Sequence, residues 1–153
     1  MITKIFNAID DQEQSGRAVD AAIEIARATS ARLIFFMANP AVLPGRGPVF
    51  YRYTDEEIDD YFNQARRRAK FGGVYDVKCI TKNCIDIAKS ILSEAEKELA
   101  DCIVVGSDRK HGPFSRWKFS ISQKVAANSA CPTIIVHSTA EKHNLLSSLI
   151  AAE

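Results

Sequence analysis

Two aspartates, Asp10 and Asp11, close the first apolar run of the chain, Ile2 to Ile9. Carboxylates at the end of a buried strand either cap the following helix or face a ligand. Both roles stay open for Asp10, while Asp11 reads as the cap. A second group comes after the apolar run Cys102-Ile103-Val104-Val105: Gly106-Ser107, then Arg109, Lys110, Gly112, Arg116 and Lys118, then Ser120-Ile121-Ser122-Gln123. Glycine lets backbone N–H groups approach a ligand, basic side chains supply charge to an anion, and Ser120-x-x-Gln123 has the form of a capping box. Other chemistries find no support. His111, His137 and His143 share no spacing with Cys, Asp or Glu that suits a metal, and read as solvent-facing. No serine sits in a G-x-S-x-G context, and no Ser, His and Asp set stands out, so no catalytic residue is assigned. Cys79, Cys84, Cys102 and Cys131 form no C-x-x-C pair and sit mostly in apolar runs, as free thiols in a reducing compartment do.

These groups need a scaffold, and the hydrophobic periodicity supplies one. Ile2 to Ile9 reads as a buried strand, and Gln14 to Thr29 as a helix with Ala18, Ala22, Ile25 and Ala26 on one stripe and Asp11 or Ser15 as its cap. Leu33 to Met37 is a second buried strand. The segment Asn39 to Tyr53 carries Pro40, Pro44, Pro48, Gly45 and Gly47 with Phe50, Tyr51 and Tyr53, and is long for a connection. A lid over a ligand and a variable insertion both fit it. Thr54-x-x-Glu57 is a capping box that opens a helix with Ile58, Tyr61, Phe62 and Ala65 on one face. Val74 to Ile80 is a third strand, placed at an edge because Asp76 and Lys78 alternate with apolar residues. Asp86 caps a third helix, Cys102 to Val105 forms a fourth strand, Ser120 caps a fourth helix, and Pro132 to Val136 is a fifth strand.

Strict alternation of strand and helix implies an α/β fold, a doubly wound, five-stranded, mainly parallel sheet of Rossmann-like type, strand order 3-2-1-4-5, with helices on both faces. Ligands of such sheets bind outside the carboxyl ends of the strands, where the order reverses. That edge carries Asp10, the loop after Met37, and Gly106 with the loop beyond it. Residues 1–137 read as one domain and 138–153 as a C-terminal extension. In the extension Leu145, Leu146, Leu149 and Ile150 form a stripe that either docks or belongs to a loose tail.

The 153 residues are 46% hydrophobic and 25% charged, enough for one domain with a real core. Twenty basic against nineteen acidic residues leave a net charge of +1, so no summed field favours nucleic acid or a membrane surface. No run approaches the roughly 18 apolar residues of a spanning helix. The start, Met1-Ile2-Thr3-Lys4-Ile5-Phe6, reads as mature structure and not as a leader, which points to a cytoplasmic protein.

Ala8-Ile9-Asp10-Asp11, Ala100-Asp101-Cys102-Ile103-Val104-Val105-Gly106-Ser107, Ser120-Ile121-Ser122-Gln123-Lys124-Val125 and Cys131-Pro132-Thr133-Ile134-Ile135-Val136 together resemble the universal stress protein family. The resemblance implies a small dimeric stress-response binding protein. It also implies a nucleotide site drawn from Asp10, Ala38, Val105, Gly106, Arg109, Phe119, Ser120, Ile121 and Ser122, with ATP or another adenine nucleotide as ligand. Members that bind ATP carry G-x-x-G-x9-G-[ST]. Here Gly106 and Ser120 match, but Arg109 and Phe119 replace the second and third glycines. Weakened or absent ATP binding is therefore expected, with an adenine-nucleotide binder using a modified loop as the alternative. An enzyme of the adenine nucleotide alpha-hydrolase-like superfamily is a distant third, since Asp10-Asp11-Gln12-Glu13-Gln14-Ser15-Gly16 lacks the S-G-G-x-D-S loop. The resemblance further implies a homodimer paired through the fifth strand, Thr133, Ile134, Ile135, Val136 and His137, which would cover an apolar edge. A protein partner is possible on this reading.

Overall fold

The computed structural model describes residues 1–107 and 115–137, with backbone alone for residues 13–14 and 115–120. In chain order the elements are β1 (Lys4–Ala8), α1 (Glu13–Thr29), β2 (Arg32–Val42), β3 (Phe50–Tyr51), α2 (Asp55–Phe71), β4 (Val77–Cys84), α3 (Ile87–Lys97), β5 (Cys102–Ser107), α4 (Ser115–Asn128) and β6 (Thr133–His137). Five strands pair in parallel in the order β4-β2-β1-β5-β6. The expected fold class is borne out, and one strand is added to it. β3 pairs antiparallel with the far end of β2, Ala41 opposite Tyr51 and Val42 opposite Phe50.

The strands are buried on both faces because helices cover both. Leu33, Phe35 and Met37 of β2 pack with α1 and α2, while Ile34 and Phe36 pack with α3 and α4. This explains why β1 and β2 read as unbroken apolar runs and not as alternating ones. Phe6 and Phe36 stack at 5.3 Å between ring centroids on the second face. Burying each such side chain is worth about 1.5–3 kcal/mol. α1 approaches the sheet closely because Ala18, Ala22 and Ala26 present only methyl groups to it. The third parallel strand, β4, expected at Val74 to Ile80, runs instead from Val77 to Cys84, so Asp76 precedes it; it is the half-exposed edge that was expected, with Lys78 paired to Glu98 at 2.8 Å.

Several local expectations are corrected. β2 runs on to Val42, because β4 offers backbone partners as far as Pro40 and β3 beyond it. Neither Asp11 nor Ser15 caps α1: its N-cap is Gln12, with no side-chain cap bond. Ser120 does not cap α4, which opens at Ser115, so Phe119 and Ser120 lie inside the helix. Two caps stand as read. Thr54 and Glu57 form the reciprocal capping box of α2, and Asp86 accepts from the Lys89 N–H at 3.1 Å. The extension after His137 and the loop containing Arg109 and His111 lie outside the described residues.

Gly72 ends α2 where it meets α1, and a Cβ there would sit 2.5 Å from the Cγ2 of buried Ile23. Ile23 is β-branched and stiff at χ1, so that branch moves only with a change of rotamer or a shift of the helix. Gly72→Ala should therefore cost about 1–3 kcal/mol, read as a lower melting temperature. An unchanged melting temperature would mean that the α1–α2 contact yields freely.

Candidate functional site

All five parallel strands end on one edge, so the residues just past their ends converge. A cleft opens there, floored by Ala8, Ala38, Val105, Ile87, Ile91 and Ile121, with Asp10, Asp11, Ser15, Arg52, Tyr53 and Ser122 contributing polar groups. Ile9, Pro40 and Gly106 complete its lining. Apolar floor and polar rim is the usual make-up of a small-molecule site.

The strand-to-helix turn after β1 is tied down on both sides. Ile9 donates its N–H to the Phe36 carbonyl at 2.8 Å, and Asp10 donates its N–H to Ser15 Oγ at 3.0 Å. Asp10 Oδ1 accepts from the Gln12 N–H at 2.8 Å, a side-chain turn that leads into α1. Asp10 thus orders the turn into α1 and also lines the cleft.

Asp11 does something else. Its Oδ2 pairs with Arg52 Nη2 at 2.9 Å, while its Oδ1 accepts from the Tyr53 hydroxyl at 3.0 Å and from Gln12 Nε2 at 2.9 Å. Tyr53 belongs to the strap that returns from β3, and buried Asn39 grips its backbone twice, Oδ1 accepting its N–H at 2.8 Å and Nδ2 donating to its carbonyl at 3.0 Å. The Tyr53 ring packs edge-on to Tyr61 of α2 at 6.3 Å, and the Arg52 guanidinium lies 5.3 Å from its centroid. The far end of Asn39–Tyr53 therefore supplies a wall of the cleft through Arg52 and Tyr53, while Phe50 and Tyr51 pair with the end of β2 and stay exposed.

Burial opposes the charge on Asp11, but the bonds from Gln12 and Tyr53 and the Arg52 guanidinium outweigh it and hold the carboxyl below the ordinary range. Burial, then the neighbouring Asp11 charge, pushes the Tyr53 phenol well above its usual value, so it stays a donor.

Six expected site residues come together in the cleft: Asp10, Ala38, Val105, Gly106, Ile121 and Ser122. Phe119 and Ser120 are carried by the opening turns of α4, and Arg109 lies outside the described residues. Sequence reasoning missed Arg52, Ser15, Pro40, Ile87 and Ile91, and gave Asp11 to helix capping. Tyr53 stands among the loop aromatics, and that is the available signal. His137 is half buried in β6 with Nδ1 withdrawn from solvent, against the expectation of an exposed ring. All four cysteines are free thiols. Among the described residues no group of three or more His, Cys, Asp or Glu is placed to hold a metal ion, and no helix is long and apolar enough to cross a membrane.

A doubly wound sheet with a cleft at its switch point defines a nucleotide-binding type of α/β protein. The family model described as the universal stress protein family matches residues 1–137. The chain is 31% identical to the universal stress protein YxiE of Bacillus subtilis, over 89% of this chain and 99% of that one. Among solved structures, a universal stress protein in complex with cAMP superposes with a TM-score of 0.71 at 26% identity, covering 89% of this chain and 97% of that one. The universal stress protein UspA of Lactobacillus plantarum gives 0.69 at 19% identity, covering 88% and 97%. The chain belongs to the universal stress protein family.

The depressed Asp11 titration has a consequence for stability. A carboxyl whose folded pKa lies below its unfolded value of about 3.9 stabilises the fold above that value, and the contribution is lost as pH falls through the folded one. Asp11→Asn should be less stable than wild type by about 1 kcal/mol at neutral pH, with the gap narrowing below about pH 4. Denaturant melts across pH check this. A gap that stays constant down to about pH 3 would show that the ionised carboxylate is not what holds the strap.

Proposed function

We propose that this chain is a stress-response binding protein whose cleft takes the nucleoside part of a small adenine nucleotide, while ATP is held weakly. The reading is carried by one observation: Asp10, Ala38, Val105, Gly106, Ile121 and Ser122, dispersed along the sequence, line a single cleft at the switch point. The relative crystallised with cAMP, at 26% identity, supports a compact mononucleotide as the ligand class. The weakness toward ATP stems from Arg109 and Phe119, which replace the second and third glycines of the G-x-x-G-x9-G-[ST] pattern. Equilibrium dialysis of the full chain should show AMP or cAMP binding in the micromolar range and ATP with magnesium at least about tenfold weaker. ATP binding tighter than AMP would overturn the assignment.

On this reading the protein acts by binding and not by turnover. Residues 1–137 act as the domain, with 138–153 as an extension, in a cytoplasmic setting. A second reading, contact with another protein in place of a nucleotide, draws on the exposed Leu43, Val49, Phe50 and Tyr51 of the strap. Failure of every adenine nucleotide to bind at millimolar concentration would favour it.

The quaternary proposal is a homodimer through β6. Among the described residues β6 pairs only with β5, and Ile134 on it is 38% exposed. An open apolar edge strand needs cover. Ile134→Asp should convert a dimer to a monomer in sedimentation velocity. Dimer mass retained in that variant, or a monomeric wild type, would remove β6 as the interface.

A further inference from the structure

Arg52 is the one cation among the described residues that line the cleft, where it faces the carboxylates of Asp10 and Asp11. An anionic ligand entering there meets the Asp11 carboxylate beside the Arg52 guanidinium that pairs with it. The guanidinium is only partly committed. Nη2 bonds Asp11, while Nε and Nη1 have no bond among the described residues, and the side chain is 45% exposed. Five donors in a rigid fork match a phosphate, and the Tyr53 ring under the guanidinium orients that fork in advance.

The strap does not need Arg52 to stay in place. Asn39 already holds the Tyr53 backbone with two buried bonds, the Arg52 N–H donates to the Pro40 carbonyl at 3.0 Å, and the Tyr53 hydroxyl anchors Asp11 independently. A half-exposed ion pair adds little stability by itself. What distinguishes the Arg52 side chain is its place in the cleft that Asp10, Ala38 and Gly106 also line.

We propose that Arg52 is the residue that recognises the ligand's phosphate, its guanidinium shared between Asp11 and a phosphate monoester or cyclic diester. Asp11 is then the internal counter-ion that holds the fork ready and weakens its hold on anions. This rests on the reading of the cleft as an adenine-nucleotide site, and sets its selectivity for the phosphorylated form over the bare nucleoside.

Calorimetric titration of the full chain with adenosine, AMP and cAMP tests this. Wild type should favour AMP over adenosine. Arg52→Gln should lower AMP affinity about tenfold or more, a charged hydrogen bond's worth, while adenosine changes by about twofold at most. Arg52→Lys should recover part of the loss by keeping the charge without the fork. Arg46→Gln, an exposed arginine elsewhere on the strap, should leave the preference unchanged. Asp11→Asn should raise AMP affinity by releasing the guanidinium. An AMP-to-adenosine ratio unaltered in Arg52→Gln overturns the proposal and leaves the cleft assignment standing. An equal loss for both ligands assigns Arg52 a merely structural role and also overturns it. If Arg52→Gln unfolds, the ratio in Arg52→Lys decides by the same criterion. A wild type that binds neither ligand removes both the proposal and the reading beneath it.

Discussion

Parallel pairing on both sides of β1 is the constraint on which everything else depends. β1 bonds β2 along one edge and β5 along the other, and a parallel neighbour is reached only through a crossover. The connections therefore depart from β1 in opposite directions, and the ends of β1, β2 and β5 are left unfilled between them. The same pairing puts a helix layer on each face, which is why Phe6, Ile34 and Phe36 on one side and Ile5, Leu33 and Phe35 on the other are all fully buried. Buried Asn7 ties β1 to β5 once more, donating from Nδ2 to the Val104 carbonyl at 3.0 Å.

The cleft combines this rigid edge with one added wall. Asp10, Ala38, Val105 and Gly106 take their places from strands that cannot shift without breaking the core. Arg52 and Tyr53 take theirs from a hairpin secured by a few polar bonds, chiefly through Asn39 and Asp11. The two parts answer to different energies. Packing sets the floor, whereas hydrogen bonds and charge set the lip, so pH and nearby ions act on the lip first. A universal stress protein with a common floor and its own lip can keep the fold and change the ligand, since function belongs to the site and not to the scaffold.

Much of this was legible in the residues. Period and composition revealed the helices and the parallel strands, because burial on two faces leaves unbroken apolar runs and burial on one leaves a stripe. The capping box of Thr54 and Glu57 and the Asp86 cap were legible because each is satisfied within one turn of chain. The same local logic failed at Ser120, where the helix had already begun at Ser115. It failed again at Asp11, whose acceptors are taken by residues some forty positions away.

The sequence by itself determined the fold class, the family and the half of the cleft that rides on strand ends, because short-range periodicity dictates which residues are buried and parallel strands must end together. Only the tertiary structure decided the other half. β3 exists because β2 outlasts β4 and offers Ala41 and Val42 as partners. That pairing brings Arg52 and Tyr53 back across the chain to Asp11, a meeting that no spacing in the sequence encodes.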